Sequence, residues 1–219
     1  MGAIENSLDV VVMGGGLAGL TAANRAAEQG LSVVVLEQGT EAKYTCNTRY
    51  SGGLLHVAFK DVQASPVAIT AAIGKHDHDY ALTHAPLLAQ ESARAVEWLQ
   101  SAGAQFEING PFKFQRWIFA PMRPRIARLD WRGYGPDQLL ERLRARLESQ
   151  GAQMRLGARV ETLVIDDGRV RGVQVREQGQ PTRYRARSVI IADGAGSWRL
   201  LTEWRQVLRA SPWPRSLQQ

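Results

Sequence analysis

The run Gly14-Gly15-Gly16-Leu17-Ala18-Gly19 and the acid Glu37 are the residues whose types and spacing most directly specify chemistry. The run has the form G-x-G-x-x-G. Gly14 permits a tight strand-to-helix turn, Gly16 lets backbone N–H groups come up to a pyrophosphate, and Gly19 lets a helix pack closely on a strand. A helix that starts here adds partial positive charge for phosphate groups. Glu37 stands 23 residues beyond Gly14, where a carboxylate can accept hydrogen bonds from a ribose diol. The elements that must position these groups are also legible. Asp9–Met13 is a short β-branched run ending in glycine, as a buried parallel strand does. Leu20–Gln29 reads as a helix closed by Gly30, and Leu31–Leu36 is the next strand, ending on Glu37. This strand–loop–helix–strand–acid frame binds a dinucleotide, but by itself it does not separate NAD from FAD.

Further motifs do. They are DVVVMGGGLAGLTAANRAAEQGLSVVVLEQ as a whole, NTRYSGG at 47–53, WRGYGPDQLLERL at 131–143, the hairpin ETLVIDDGRVRGVQV, and SVIIADG at 188–194. With these, residues 8–196 resemble the FAD-binding domain of the fumarate reductase/succinate dehydrogenase flavoprotein superfamily. Within it they are most similar to the soluble branch that includes tricarballylate dehydrogenase and 3-ketosteroid dehydrogenase. The resemblance implies an α/β, Rossmann-like FAD-binding domain: a parallel sheet with crossover helices plus an antiparallel hairpin layer, truncated before the capping domain. It places the domain at 1–196 and an atypical tail at 197–219.

The resemblance also implies site residues. Gln38, next to Glu37, is among the cofactor-binding residues. Asn47, Thr48, Ser51, Gly52 and Gly53 match the second half of a loop of the type G-G-N-[ST]-x-x-S-G-G, which lines the flavin and pyrophosphate. Its small residues let the backbone reach the flavin, and its hydroxyls donate to phosphate or ring heteroatoms. Thr45 and Cys46 stand where relatives have two glycines. No histidine lies in this loop, so the implied FAD is held without a covalent bond. A backbone contact to adenine is implied near Val160. Ala192, Asp193 and Gly194 take the place of an Ala-x-Gly-Gly turn that approaches the cofactor.

Between these motifs, residues 54–78 read as irregular. From Thr83 a helix is expected, with Pro86 in its first turn, Gly103 after its end, and Leu88, Ala95, Trp98, Leu99 and Ala102 as its buried stripe. The stretch 104–132 reads as a loop or short hairpin. In the family this region nears the cleft, so Arg116, Arg123 and Arg125 are set against two readings, an anionic-substrate contact or a solvated surface. Gly133-Tyr134-Gly135-Pro136 opens a helix with Leu139, Leu140, Leu143 and Leu147 on one face and Gly151 as its stop. Residues 153–165 and 169–175 alternate around Asp166-Asp167-Gly168, a hairpin signal, and Ser188–Ala192 is a final apolar strand.

Composition bounds the rest. A chain of 219 residues buries enough surface to fold without staples. One cysteine, Cys46, excludes an internal disulfide framework and a multi-cysteine metal site. His76-Asp77-His78 and His84 have no surrounding ligand pattern, and no metal site is assigned. No apolar run approaches the roughly 20 residues of a membrane helix, and the N-terminus carries no signal core, so a cytoplasmic setting is expected. Residues 1–111 hold 6 Lys+Arg against 11 Asp+Glu, whereas residues 112–219 hold 21 against 10, and 20 of those 21 are arginine. Such an arginine excess suits a solvated basic face or an anionic cofactor and substrate; no motif for nucleic acid accompanies it.

Two function classes follow. One is an FAD oxidoreductase that passes a hydride between flavin N5 and a carbon next to a carboxylate or carbonyl, interconverting CH–CH and C=C. It would have a small anionic or carbonyl substrate and an electron-transfer partner. The other is a non-catalytic or degenerate FAD-binding fragment, since the substrate-polarising groups of relatives lie beyond Gly196 and no catalytic residue is nominated here. An NAD-dependent enzyme is a third reading, but it leaves NTRYSGG and the DDG hairpin unexplained.

Overall fold

The computed structural model describes residues 7–75, 85–124 and 130–194. The candidate residues His76, Asp77, His78, His84 and Arg125, and the tail from 197, lie outside them. The chain forms two compact units, Met1–Asn47 with Leu143–Gln219, and Thr48–Arg142.

The first unit is a six-stranded sheet in the order β5-β2-β1-β8-β7-β6. Strand β1, Leu8–Met13, leads through helix α1, Leu17–Glu28, to β2, Val33–Glu37. Strands β1 and β2 pair in parallel, Val10 opposite Val33 and Met13 opposite Leu36. Both are buried along almost their whole length, which is why they read as unbroken apolar runs rather than alternating ones. Strand β5, Gln153–Leu156, adds to β2 in parallel.

The expected continuous strand over 153–165 is in fact two. Gly157 breaks it in the left-handed region, at φ +68°, and its N–H donates to the Gly39 carbonyl. Beyond it, β6 (Ala158–Asp166), β7 (Arg169–Glu177) and β8 (Gln180–Ile191) run as an antiparallel meander. The expected turn at Asp167-Gly168 is present, and a second one of the same backbone type lies at Gln178-Gly179. The expected final strand is therefore only the end of β8, whose earlier half pairs with β7 and whose later half, through Ile191, pairs with β1 in parallel. Val11, Met13, Val34 and Leu36 of the parallel strands share one core with Leu163, Val173, Val175 and Tyr184 of the meander.

In the second unit, the reading of 54–78 as irregular is overturned by α3, Pro66–Gly74. Ser65 caps it, accepting the Ala68 N–H, and Pro66 opens it. Helix α4, Ala85–Ser101, packs on α3 through Ala85 and Ala89 against Ile69 and Ile73. Its buried stripe is Ala85, Ala89, Ser92, Val96 and Leu99; of the expected stripe, Leu88 and Ala95 are exposed and Trp98 is half-buried. Small residues win that face because they let the two helices approach, and Ser92 spends its hydroxyl on the Val62 carbonyl, 2.8 Å away. Strands β3, Phe106–Glu107, and β4, Ile118–Phe119, form the short hairpin expected in 104–132. Helix α5, Gly135–Ser149, then carries the chain back to the first unit, and all four expected leucines are buried.

At the open end of β1, Asp9 accepts the Ser32 N–H and hydroxyl and an Arg187 N–H, at 3.0, 2.8 and 3.1 Å. These bonds, the Ser32 backbone N–H first, hold its carboxyl below the ordinary value. A lowered folded-state pKa means that the stabilisation is present above the unfolded-state value and is lost as pH falls through the folded one. Asp9→Asn should therefore flatten the acid limb of stability: urea midpoints at pH 7 and pH 3 should differ less for the variant than for the parent chain.

Candidate functional site

In the first unit, the carboxyl ends of β1, β2 and β8 meet at Gly14. Its N–H donates to the Leu36 carbonyl and Ala192 N–H donates to Met13. Gly14 has φ +96°, and a Cβ there would lie 2.6 Å from the Ala192 oxygen and 2.8 Å from the Asp193 Cα. A Cβ on Gly19 would overlap the Gly14 carbonyl. Both glycines are thus required by backbone approach, as their spacing predicts. Helix α1 begins at Leu17, one turn earlier than expected, and Gly16 gives it no side-chain cap. The opening of a helix without such a cap is a place for an anion.

Glu37 ends β2 with 6% exposure. One carboxylate oxygen accepts the Gly15 N–H and the other the Gly39 N–H, each at 2.8 Å. The carboxylate is therefore fixed beside the glycine turn, and of its roughly four acceptor positions these bonds take two. The unit brings together Gly14, Gly15, Glu37, Ala192 and Asp193. Gly16 and Leu17 are half-buried, and Ala18 and Gln38 are exposed; Gly194, at φ +73°, follows Asp193. Val160 lies on β6, one of the two edge strands of the sheet, where the pairing with β7 shifts between Val160 and Thr162. Asn24 had no place in the sequence reading. It is fully buried on α1 and donates to the Leu20 and Leu143 carbonyls, tying α1 to α5.

The loop 47–53 opens with the single helical turn α2, Asn47–Tyr50. In the second unit, Ser51 donates its hydroxyl to the Thr48 carbonyl and accepts the Gly53 N–H, so this hydroxyl serves the loop itself. Ser51 and Gly52 are exposed, and Gly53 is buried with its carbonyl accepting from Phe119. The side chain that anchors the loop is one that the motif leaves open. Arg49 Nε donates to Asp137 Oδ1 at 2.7 Å, with the two side chains 2% and 0% exposed. The other Asp137 oxygen accepts the Gly133 N–H, and the Arg49 guanidinium lies 5.3 Å from the Trp131 ring centre. An arginine inside NTRYSGG and an aspartate in the first turn of α5 were the available signal, but nothing in either motif pairs them. Arg123 donates to the Tyr50 carbonyl at 2.6 Å and Arg116 is exposed.

The sequence profile of the family described as FAD binding domain matches residues 9–212. The chain belongs to this family. Its cofactor is FAD, and the first unit fits that group: the turn excludes side chains where a pyrophosphate needs backbone, and a fixed carboxylate stands beside it. The chain is 26% identical over 196 residues to the probable electron transfer flavoprotein-quinone oxidoreductase YgcN of Escherichia coli, a match spanning 89% of this chain and 37% of the relative. It is 33% identical over 109 residues to vinyl phenol reductase of Lactiplantibacillus plantarum, covering 47% of this chain and 22% of that one. Among solved structures, the 3-ketosteroid-Δ4-(5α)-dehydrogenase of Rhodococcus jostii has the same fold, with a TM-score of 0.64 at 24% identity, over 85% of this chain and 46% of that one. The chain thus spans less than half the length of these relatives.

A buried charge stripped of its partner is costly, about 3–5 kcal/mol. Arg49→Met should lower unfolding free energy by about that much in urea titration, and Arg49→Met/Asp137→Leu should recover part of the loss.

Proposed function

We propose that this chain serves an FAD-dependent oxidoreductase that interconverts CH–CH and C=C next to a carboxylate or carbonyl group. The observation that carries the cofactor half is the Glu37 carboxylate, held by the N–H groups of Gly15 and Gly39; its remaining acceptor positions are assigned to a ribose diol. Gly14 and Gly19 keep side chains out of the turn, so the first turn of α1 presents backbone N–H groups and its positive dipole end to a pyrophosphate. Gly15, Gly16, Leu17 and Ala18 complete that turn, with Ala192, Asp193 and Gly194 along its side. Gln38 as a cofactor contact and the Val160 backbone toward adenine belong to the same proposal.

For Asn47, Thr48, Ser51, Gly52 and Gly53 the support is the match to the family loop. That loop holds no histidine, which supports FAD held without a covalent bond. When bound, FAD supplies two-electron chemistry by taking up or giving back a hydride. The likeness to vinyl phenol reductase supports the C=C part of this reaction class, the sequence motifs support the tricarballylate dehydrogenase-like branch, and the likeness to YgcN supports an electron-transfer partner. Among the described residues no helix is long and apolar enough to cross a membrane.

The purified chain should take up FAD, and acid precipitation should leave all the yellow colour in the supernatant. Losing a charge-assisted pair of hydrogen bonds corresponds to about ten- to a hundredfold in affinity. Glu37→Ala should weaken FAD by that factor and Glu37→Gln by less. An unchanged dissociation constant, or bound NAD(H) with no affinity for FAD, overturns the proposal.

A further inference from the structure

Tyr44 lies on the segment that leads away from Glu37, and no motif singles it out. Its side chain is buried, at 3% exposure, and touches both residues whose N–H groups hold the Glu37 carboxylate. On one side the ring covers Gly39, where a Cβ would run into the Cβ of Tyr44. On the other, the phenol donates to the Gly15 carbonyl at 2.5 Å. The Gly15 peptide is wedged as well as bonded: a Cβ there would collide with the terminal methyl of Met154 and come within 2.7 Å of the Tyr44 oxygen. Gly15 therefore donates to Glu37 through its N–H and accepts from Tyr44 through its carbonyl. These two groups belong to successive planar peptide units joined at the Gly15 Cα, so a bond that fixes one restrains the direction of the other.

We propose that Tyr44 is a positioning residue for the nucleotide. It fixes Gly15 and Gly39 and, through their N–H groups, sets the Glu37 carboxylate in the orientation that takes the adenosine ribose. This rests on the reading of Glu37 given above. Tyr44 touches no ligand in this assignment. Its effect is carried wholly by the direction in which the carboxylate presents its remaining acceptor positions.

The test compares ADP with 2′-deoxy-ADP by calorimetry on the 219-residue chain. The parent chain should favour ADP by about tenfold, the worth of one charge-assisted hydrogen bond. Tyr44→Phe keeps the ring and removes the donor. Its preference should fall to within about twofold, with a native circular-dichroism spectrum. Tyr44→4-aminophenylalanine restores an N–H donor and should restore the preference. A purely structural role would weaken both nucleotides equally and leave the ratio intact. That result, in a folded Tyr44→Phe chain, overturns the inference and leaves the role of Glu37 standing. A parent chain that binds ADP without preferring it overturns both. A folded 4-aminophenylalanine variant that has lost the preference also overturns the inference, and this arm decides if Tyr44→Phe does not fold.

Discussion

Everything in the first unit is arranged around a backbone approach that leaves no room for a side chain. Gly19 sits so near the Gly14 carbonyl that even a methyl group would overlap it. The start of α1 is therefore driven down onto the end of β1, and the chain must turn through a conformation that favours glycine. The same approach sets Gly14 against Ala192 and Asp193, so β8 ends at the same place. Once these ends are gathered, Glu37 at the close of β2 has backbone donors within reach. The site is thus a consequence of packing distance first and of charge second.

The second unit is governed by a different economy. Arg49 and Asp137 are nearly or wholly removed from solvent, and removing a charge from water is repaid only by close geometry and by satisfying the remaining lone pairs. The Gly133 N–H and the Trp131 face supply part of that compensation. An apolar pair of like volume would often hold two segments as firmly. A charged pair adds direction: guanidinium and carboxylate meet in few orientations, so the turn that precedes Ser51-Gly52-Gly53 is set in angle as well as in place.

How much could be read in advance depended on whether a residue's role is local. The glycine run, the strand acid, the leucine stripe of α5 and the Asp167-Gly168 turn each declare themselves within a few positions, and each stands where expected. Helix α3 was missed: Ser65-Pro66 before VAITAAIG offers a cap and a first-turn proline, but its even hydrophobicity hides the amphipathic period, and 54–78 read as irregular. The outward arginines at 183, 185 and 187 alternate with inward Tyr184 and Ala186, which marks the early half of β8. What could not be read is what depends on a distant partner. The buried face of α4 is small because α3 lies on it, and hydrophobicity alone pointed instead to Leu88 and Trp98. Arg49 with Asp137, and Tyr44 with Gly15, are pairings across 88 and 29 residues, and neither leaves a periodic trace.

The parallel pairing of β1 with β8 also bears on how the chain is made. Asp9 and Arg187, near the start of that pairing, are separated by 178 residues. During synthesis β1 and β2 emerge early as two apolar strands with a crossover helix, and their other neighbours, β5 and β8, leave the ribosome only after the whole second unit. Contacts of such span form slowly, and unpaired apolar strands are prone to join other chains meanwhile. The second unit, contiguous from Thr48 to Arg142, can complete its own contacts during that interval. Newly made chains should therefore depend on chaperones chiefly through the exposed edges of β1 and β2.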